Sequence, residues 1–560
     1  MSSQTDAVFQ PKKKPSSDRS SGTSEDGSQK NAVLGPIVRP FDADKLSNAV
    51  QGDSAAYATV DDVRFYKPID EYEGIHRWDP HFEWEEKEEK RLVRKLDVRI
   101  CAFCCFMFFA LQLDRGNISQ ALSDNMLDDL GLDTNDYNTG MTIFYVSFLC
   151  AELPSQLISK KIGPDKWIPI QMVCWSLIAS FQAFLSGRAS FFVCRSLLGI
   201  FEGGFIPDNV LYLSYFYKSN ELSQRLSFFW TAYQLTSIIA AFLAYGILRM
   251  RGILGMGGWR WLFALEGTLT GLIGIFAFFY LPASPTQTVG FLRGKDGWFN
   301  EREEKIMVNR VLRDDPSKGD MHNRQAVSIK LLLESFWDYD MWMIYILGIT
   351  WHITNTPATN YITLQLRSLG FSVFETNLLT IPAYVLFIIT CLFMSWLSEK
   401  INQRFLLGVI NQTWSLAMVI ALVLISPDES PWARWVINTL LIGAPYIHPI
   451  IVAITSRNAG SVRTRTVASA MYNMCVQASS IIASNVYRED DKPLYRRGNK
   501  ALIGVACLNI VLFIATKLYY VQRNKSRERI WNAMTTEEKE TYLATTTDKG
   551  NKRLDFRFAH

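Results

Sequence analysis

Residues 98–119 read VRICAFCCFMFFALQLDRGNIS, an apolar run that ends in a polar patch at Asp114, Arg115, Gly116 and Asn117. About 20 apolar residues, each rising 1.5 Å, match the ~30 Å hydrocarbon core of a bilayer. The stretch therefore predicts a membrane-spanning helix, and its flanks predict an orientation. KEEKRLVRKLDVR (87–99) is rich in Lys and Arg, whereas SDNMLDDLGLDTND (123–136) is acidic. Basic flanks stay in the cytosol, so the N-terminus is expected inside.

Working outward, similar stretches occupy 139–159, 167–186, 191–216, 227–249 and 261–281. After a polar break they resume at 341–363, 374–397, 405–426, 433–455, 467–487 and 499–520. The expected fold is an all-α membrane protein of twelve transmembrane helices in two six-helix lobes. The expected divisions are a disordered cytosolic tail (1–95), a first lobe (96–284), a cytosolic linker with a helix (285–339), a second lobe (340–520) and a cytosolic tail (521–560). An even span count returns the C-terminus to the cytosol, where RNKSRER (523–529) fits. Lys160, Lys161 and Lys166 agree, as do Arg457, Arg463 and Arg465. YREDDKPLYRRGNK (487–500) is basic yet falls outside; the first span carries more weight because its charges usually dominate. Six spans, a break and six more is the layout of a secondary transporter whose substrate site lies between the halves.

Mean hydropathy is only +0.04 because the polar tails and linker dilute the spans, and aromatics at 13% suit interfacial Trp and Tyr. The net charge of +4 gives no sign of a nucleic-acid partner. All nine cysteines fall in predicted spans without disulfide or zinc spacing. No phosphate-binding G-x-x-x-x-G-K-[ST] loop occurs, which argues against a nucleotide-driven pump. Nor do catalytic His, Asp or Cys cluster, so neither enzyme chemistry nor a cofactor is expected. PKKKPSSDRSSGTSEDGSQK (11–30) lacks a signal-peptide core, leaving the first span as the targeting signal. The Ser-, Asp- and Lys-rich tail is read either as a target of phosphorylation and ubiquitination or as an inert solvated segment. In the linker, Asn300 and Glu303 have helix-capping spacing; so do Thr535 and Glu538 in the C-terminal tail.

A charge at the bilayer centre costs about 2.5–3.5 kcal/mol on insertion scales, so ionisable residues inside the spans are functional candidates. Arg115 offers a planar fork for an oxyanion, or else pairs with Asp114 and snorkels outward. Arg195 and Glu202 lie about two turns apart near one face of the fourth span, in a network that serves the anion or closes on itself. Glu152, before Pro154, is a buried acid and a second candidate proton site. Glu266 reads as a structural contact, and Asp208 as a possible lining residue. His352 can supply a switchable charge or simply pack. Asn355, Thr356, Asn360 and Tyr361 extend a polar face beside it. Gly and Pro in GGFIPD (203–208) and ITNTPATN (353–360) suit helices that bend around a cavity.

Longer motifs carry a family resemblance. They are LDRGNISQA (113–121), ELPSQLISKKIGPDKWIP (152–169), RSLLGIFEGGFIPDNVLYLSYFYKSNELSQR (195–225), GWRWLFALEGTLT (258–270), SLGFSVFETNLLTIPAYV (368–385) and NAGSVRTRTVASAMYN (458–473). SQLISKKIGPDK (155–166) and SWLSEKINQR (395–404) look like degraded copies of the loop motif of the major facilitator superfamily. Together they resemble the fungal anion:cation symporters, in the allantoate-permease branch. The resemblance implies a major facilitator fold and proton-coupled import of a small anion across the plasma membrane. It implies substrate contacts at Arg115, Asn117 and Arg195 and proton coupling at Glu202. His352, Asn355 and Tyr361 are added as substrate-binding candidates from their position. EEKIMVNRVLRDDPSKGDM (303–321) and TTTDKGNKRLDFRFAH (545–560) are most similar to members that import sulfonates and inorganic sulfur anions. A carboxylate such as allantoate or nicotinate is the alternative substrate. A non-transporting nutrient sensor on the same fold is the alternative function.

Overall fold

A lipid core offers no water to satisfy backbone N–H and C=O groups, so a spanning chain must close its own hydrogen bonds as helices. The computed structural model describes residues 67–314 and 336–560, except 69, 71, 402, 427–428, 460–461 and 547–549. Its architecture is all-helical. The regulatory readings of residues 1–66 lie outside the described residues.

The first lobe contains α1 (Glu86–Ser123), α2 (Thr134–Ile162), α3 (Pro164–Phe181), α4 (Arg188–Ser214), α5 (Ser219–Ile247) and α6 (Gly258–Tyr280). Helix α7 (Glu301–Asp314) follows. The second lobe is built from α8 (Trp342–Thr350), α9 (Thr356–Ser368), α10 (Val373–Leu379), α11 (Ile381–Ile401), α12 (Arg404–Leu424), α13 (Pro431–Ile442), α14 (His448–Asn458), α15 (Val462–Ala483) and α16 (Arg496–Ala533). A last helix, α17, covers Thr536–Thr545.

Each of the twelve predicted stretches coincides with one rod of helix, continuous or broken. Among the described residues, eight are long and apolar enough to cross a membrane by themselves. The α8–α9 and α13–α14 rods are interrupted. The breaks have local causes. Residues 351–354 tighten into a 3₁₀ turn ahead of Pro357, and the segment from Gly443 to Ile447 contains Pro445. Helix α4 parts at Gly203 and Gly204.

Residues 72–95, assigned by the sequence to a disordered tail, are ordered. Helix α1 begins inside them, and buried Tyr72 and Trp84 pack with Ile306 and Met307 of α7. The charges of α7, solvating when read alone, are used as clamps. Arg77 Nε meets Glu304 at 2.9 Å and Lys95 meets Glu303 at 2.7 Å. Arg310, fully buried, bridges Glu89 at 3.3 Å and Glu221 at 2.8 Å. The predicted cap forms, with Asn300 Oδ1 accepting from Glu303 N at 2.8 Å.

We call the end bearing α7 the linker end. The C-terminal segment lies against the second lobe: Phe558 is buried beside Tyr520, and Asn458 accepts from Ala559 N at 2.8 Å. At the far end the lobes are stitched together. Glu489 accepts from Thr134 N at the start of α2 (2.9 Å), and Asn377 donates to Ser123 Oγ (3.1 Å). Asn138 donates to Tyr487 O (2.7 Å) and accepts from the Tyr361 hydroxyl. The basic 487–500 loop sits here, with Lys492 paired to Glu489 and Arg497 to Asp490.

Candidate functional site

Between the lobes lies a cavity of ≈ 300 Å³. The broken rods bring residues to it that no continuous helix would present together: Trp351, His352 and Asn355 from the α8–α9 break, and Tyr446 and His448 from the α13–α14 break. Discontinuous helices of this kind are a recurrent source of transporter binding sites.

Both predicted arginines line the cavity, but the pairing differs from either sequence reading. Arg115 does not pair with Asp114, and Arg195 does not close on Glu202. Instead Arg115 Nε contacts Glu202 Oε2 at 2.6 Å, bridging α1 and α4. Asp114 turns away into the first lobe, accepting from Trp175 Nε1 at 3.1 Å and Thr270 Oγ1 at 2.7 Å. Successive residues on a helix point about 100° apart, so neighbours in sequence serve different partners. Arg195 is 2% exposed and has no carboxylate partner among the described residues. Its guanidinium lies over Phe144 at 4.5 Å, and Nη2 approaches Met141 Sδ at 3.4 Å. Arg115 shares the Phe144 ring at 5.8 Å and covers Phe148 at 4.7 Å. Both arginines keep an unpaired buried nitrogen, Arg115 Nη2 and Arg195 Nε.

Glycine lets α4 hold this register. A Cβ on Gly203 would stand 2.6 Å from Phe148 O, and one on Gly199 would meet Phe144 O. The R-x-x-x-G-x-x-E-G spacing thus seats α4 against the backbone of α2, on the segment that carries the Phe144 and Phe148 rings.

Glu152 and His352 line the same cavity, and His352 Nδ1 lies 2.9 Å from Thr356 Oγ1. Asn355 lines it with Oδ1 unpaired. Glu202 is 1% exposed and reaches the cavity through Arg115. Two predicted ligands are elsewhere. Asn117 is buried inside the first lobe, beside Glu266. Tyr361 belongs to the far-end seam, where its ring packs among Tyr137, Tyr487 and Tyr495. Their polar faces serve packing between helices and lobes. Asp208 is also buried away from the cavity, accepting from Ser155 Oγ at 3.2 Å, while its neighbours Ile206 and Pro207 line the wall.

Sequence reasoning missed His448, which stacks on Trp351 (6.0 Å, 24°), and the aromatic lining of Tyr145, Tyr233, Tyr384, Phe387 and Tyr446. A second histidine inside a predicted span, beside the proline of a helix break, was the available signal. The aromatics carried none, because they look like ordinary packing residues.

The Major Facilitator Superfamily model matches residues 104–484, more than half of the chain. The chain is 48% identical over 491 residues to the uncharacterized transporter YIL166C of Saccharomyces cerevisiae, covering 87% of this chain and 90% of that protein. It is 25% identical to the MFS-type transporter efuF of Hormonema carpetanum over 78% of this chain and 86% of that one. Among solved structures, the xylose transporter XylE from E. coli, in a partially occluded inward open conformation, aligns with TM-score 0.54 at 15% identity. That alignment covers 74% of this chain and 96% of XylE, a likeness of fold alone. On the family match and the close full-length relative, this chain belongs to the Major Facilitator Superfamily and is a membrane transporter, not an enzyme.

Proposed function

We propose that the chain imports a small anion together with protons, binding it at Arg195 and Arg115. One observation carries this reading: Arg195 presents a buried guanidinium to the cavity with no carboxylate at ion-pair distance among the described residues, while Glu202 is occupied by Arg115. A desolvated cation in a cavity wall favours an anionic occupant, and its fork suits an oxyanion.

The Arg115–Glu202 contact supports a coupling scheme. A proton on Glu202 removes the carboxylate charge and frees Arg115 to join Arg195 on the substrate; proton release restores the pair and weakens the substrate's hold. Glu152, on the same wall, is the second candidate carrier. Membrane potential opposes entry of a bare anion by about 2.3 kcal/mol per charge per 100 mV, so accompanying protons must supply at least compensating charge.

The preferred substrate is a sulfonate or inorganic sulfur anion, on the likeness of the linker and C-terminal segments to the sulfur-anion members of the allantoate-permease branch. On this reading the protein sits in the plasma membrane with both termini and the linker end in the cytosol. The far-end seam then seals the cavity from outside.

Labelled uptake into a transporter-deleted yeast tests the proposal, with sulfonates, sulfate, carboxylates and ureides as competitors and a protonophore as control. Accumulation that collapses with the protonophore and is blocked by sulfonates is the expected result. Insensitivity to the protonophore would remove the coupling, and rescue only by allantoate or nicotinate would replace the substrate. A transcriptional response without accumulation would make the chain a sensor.

A further inference from the structure

The walls of the cavity differ in kind. The first lobe contributes all of its formally charged side chains: Arg115, Arg195 and Glu152. The second lobe's lining contains no Arg, Lys, Asp or Glu among the described residues. Rings and amides line both lobes, so the difference is one of charge, and on the second lobe they stand without it. Phe387 and Tyr446 lie 4.4 Å apart, Tyr446 and Trp351 5.7 Å apart, and Trp351 continues into His448. Tyr384 extends the surface. Asn355 Oδ1 and Asn360 Nδ2, on the same cavity lining, are buried without a hydrogen-bond partner, one acceptor and one donor.

We infer that the ligand has two parts: an anionic head held by Arg195 of the first lobe, and an aromatic organic body packed among the Phe387, Tyr446 and Trp351 rings of the second, which are tilted by 42° and 63° to their neighbours, with polar edges for Asn355 and Asn360. The inference rests on the anion reading above and narrows it to organic anions over inorganic ones. Two arguments carry it. The first is size: ≈ 300 Å³ has room for about ten waters at ~30 Å³ each, far more than a five-atom oxyanion fills. The second is coupling. A ligand shifts a conformational equilibrium only through differential contacts with its states. An inorganic anion held on the charged wall touches one lobe and does little to bias the rocking of two. A head-and-body ligand bridges them, and an aromatic body gains from the tilted rings, against which it can pack offset or edge-to-face.

Matched probes test this on the detergent-solubilised full chain, with affinity read from the concentration dependence of thermal stabilisation. Sulfate and methanesulfonate are heads with little body; benzenesulfonate adds a flat ring to the same head. Acetate and benzoate repeat the comparison with a carboxylate. The expected result is at least tenfold tighter binding of the ring-bearing member in the series whose head is accepted. That preference should fall below threefold in Tyr446→Leu and in Phe387→Leu, and persist in Tyr446→Phe, which keeps the ring and reports on folding. Arg195→Lys should weaken both members alike. Equal binding of sulfate and benzenesulfonate, or exclusion of the ring, would overturn the two-part ligand while leaving an anion site in place. If none of the five anions stabilises the chain and Arg195→Lys changes nothing, the anion reading itself falls and takes this inference with it.

Discussion

Arg115 and Glu202, far apart in sequence on α1 and α4, meet at 2.6 Å, while Asp114 beside Arg115 is bonded to other helices. Glu202 is 1% exposed, so removing its charge leaves the Arg115 guanidinium without this carboxylate. On the proposed coupling, Glu202→Gln mimics the protonated state. It should abolish concentrative uptake yet retain substrate exchange, both measured in proteoliposomes with and without an imposed proton gradient. Undiminished accumulation would remove Glu202 from the coupling.

Arg195→Ala should be the most damaging single change for substrate affinity. Truncating a desolvated charge partner costs about 2–5 kcal/mol, which is about 30-fold or more in binding. Arg195→Lys should recover little, because an ammonium cannot form the bidentate fork. Competition binding at matched surface abundance is the readout, and wild-type affinity in the alanine variant would dismiss the residue.

The far-end seam should control which side of the cavity opens. In Tyr361→Phe the buried Asn138 Oδ1 loses its hydroxyl donor, and an unsatisfied buried acceptor costs about 1–3 kcal/mol. The closed seam should be depopulated by roughly 5-fold or more. A cysteine at Ser119, which contacts Thr363 across the seam, should then label faster with an impermeant maleimide applied from the far side. No change in labelling rate would mean that the seam is held by other contacts.

Gly203→Ala should act through helix spacing. The added methyl meets Phe148 O at 2.6 Å, so α4 must move off α2 and shift Arg195. Overpacking of this kind costs about 1–3 kcal/mol. The expected outcome is a lower Tm together with weakened substrate binding. A variant with unchanged Tm and affinity would show that α4 has slack here.

Legibility in the sequence followed range. Span positions rest on local hydropathy, and the helices fell where the apolar stretches predicted, including the breaks at Gly203–Gly204 and near Pro357, whereas the break near Pro445 was not anticipated. Arg115, Arg195, Glu152 and His352 stood out because charge inside an apolar run is conspicuous, and all four reach the cavity. What failed was partnership across helices. Nothing within LDRGNISQA says that Arg115 looks toward Glu202 while Asp114 looks toward Trp175. Tyr361 and Asn117 share a polar face with true lining residues, and only packing between rods sent them elsewhere. The segment 72–95 was misjudged because its ordering depends on α7, a charged helix more than 200 residues away.

Asp340, just before α8, gives a pH prediction. Burial alone would raise its pKa, but hydrogen bonds from Lys552 and Tyr519 and the charge of Arg523 hold it below the ordinary carboxylate value. A depressed folded-state value means the stabilisation is complete above the unfolded pKa of about 3.9 and is lost as pH falls through the lower folded value. The C-terminal segment should therefore stay docked from neutral pH down to about pH 4 and loosen below it. Asp340→Asn should loosen it already at pH 7. Hydrogen exchange of the peptide covering 550–560 reads both, and equal protection in the variant would refute the assignment.

The clamps around α7 also bear on the order of synthesis. Arg77, Glu89, Glu221, Glu304 and Arg310 all precede α8, so the ribosome has delivered every one of them before the second lobe begins. The first lobe can lock its linker end while the rest is still being translated. The second lobe has no such early closure: Asn458 and Tyr520 wait for Phe558 and Ala559. Until those last residues are made, the linker end of the second lobe lacks these closing contacts.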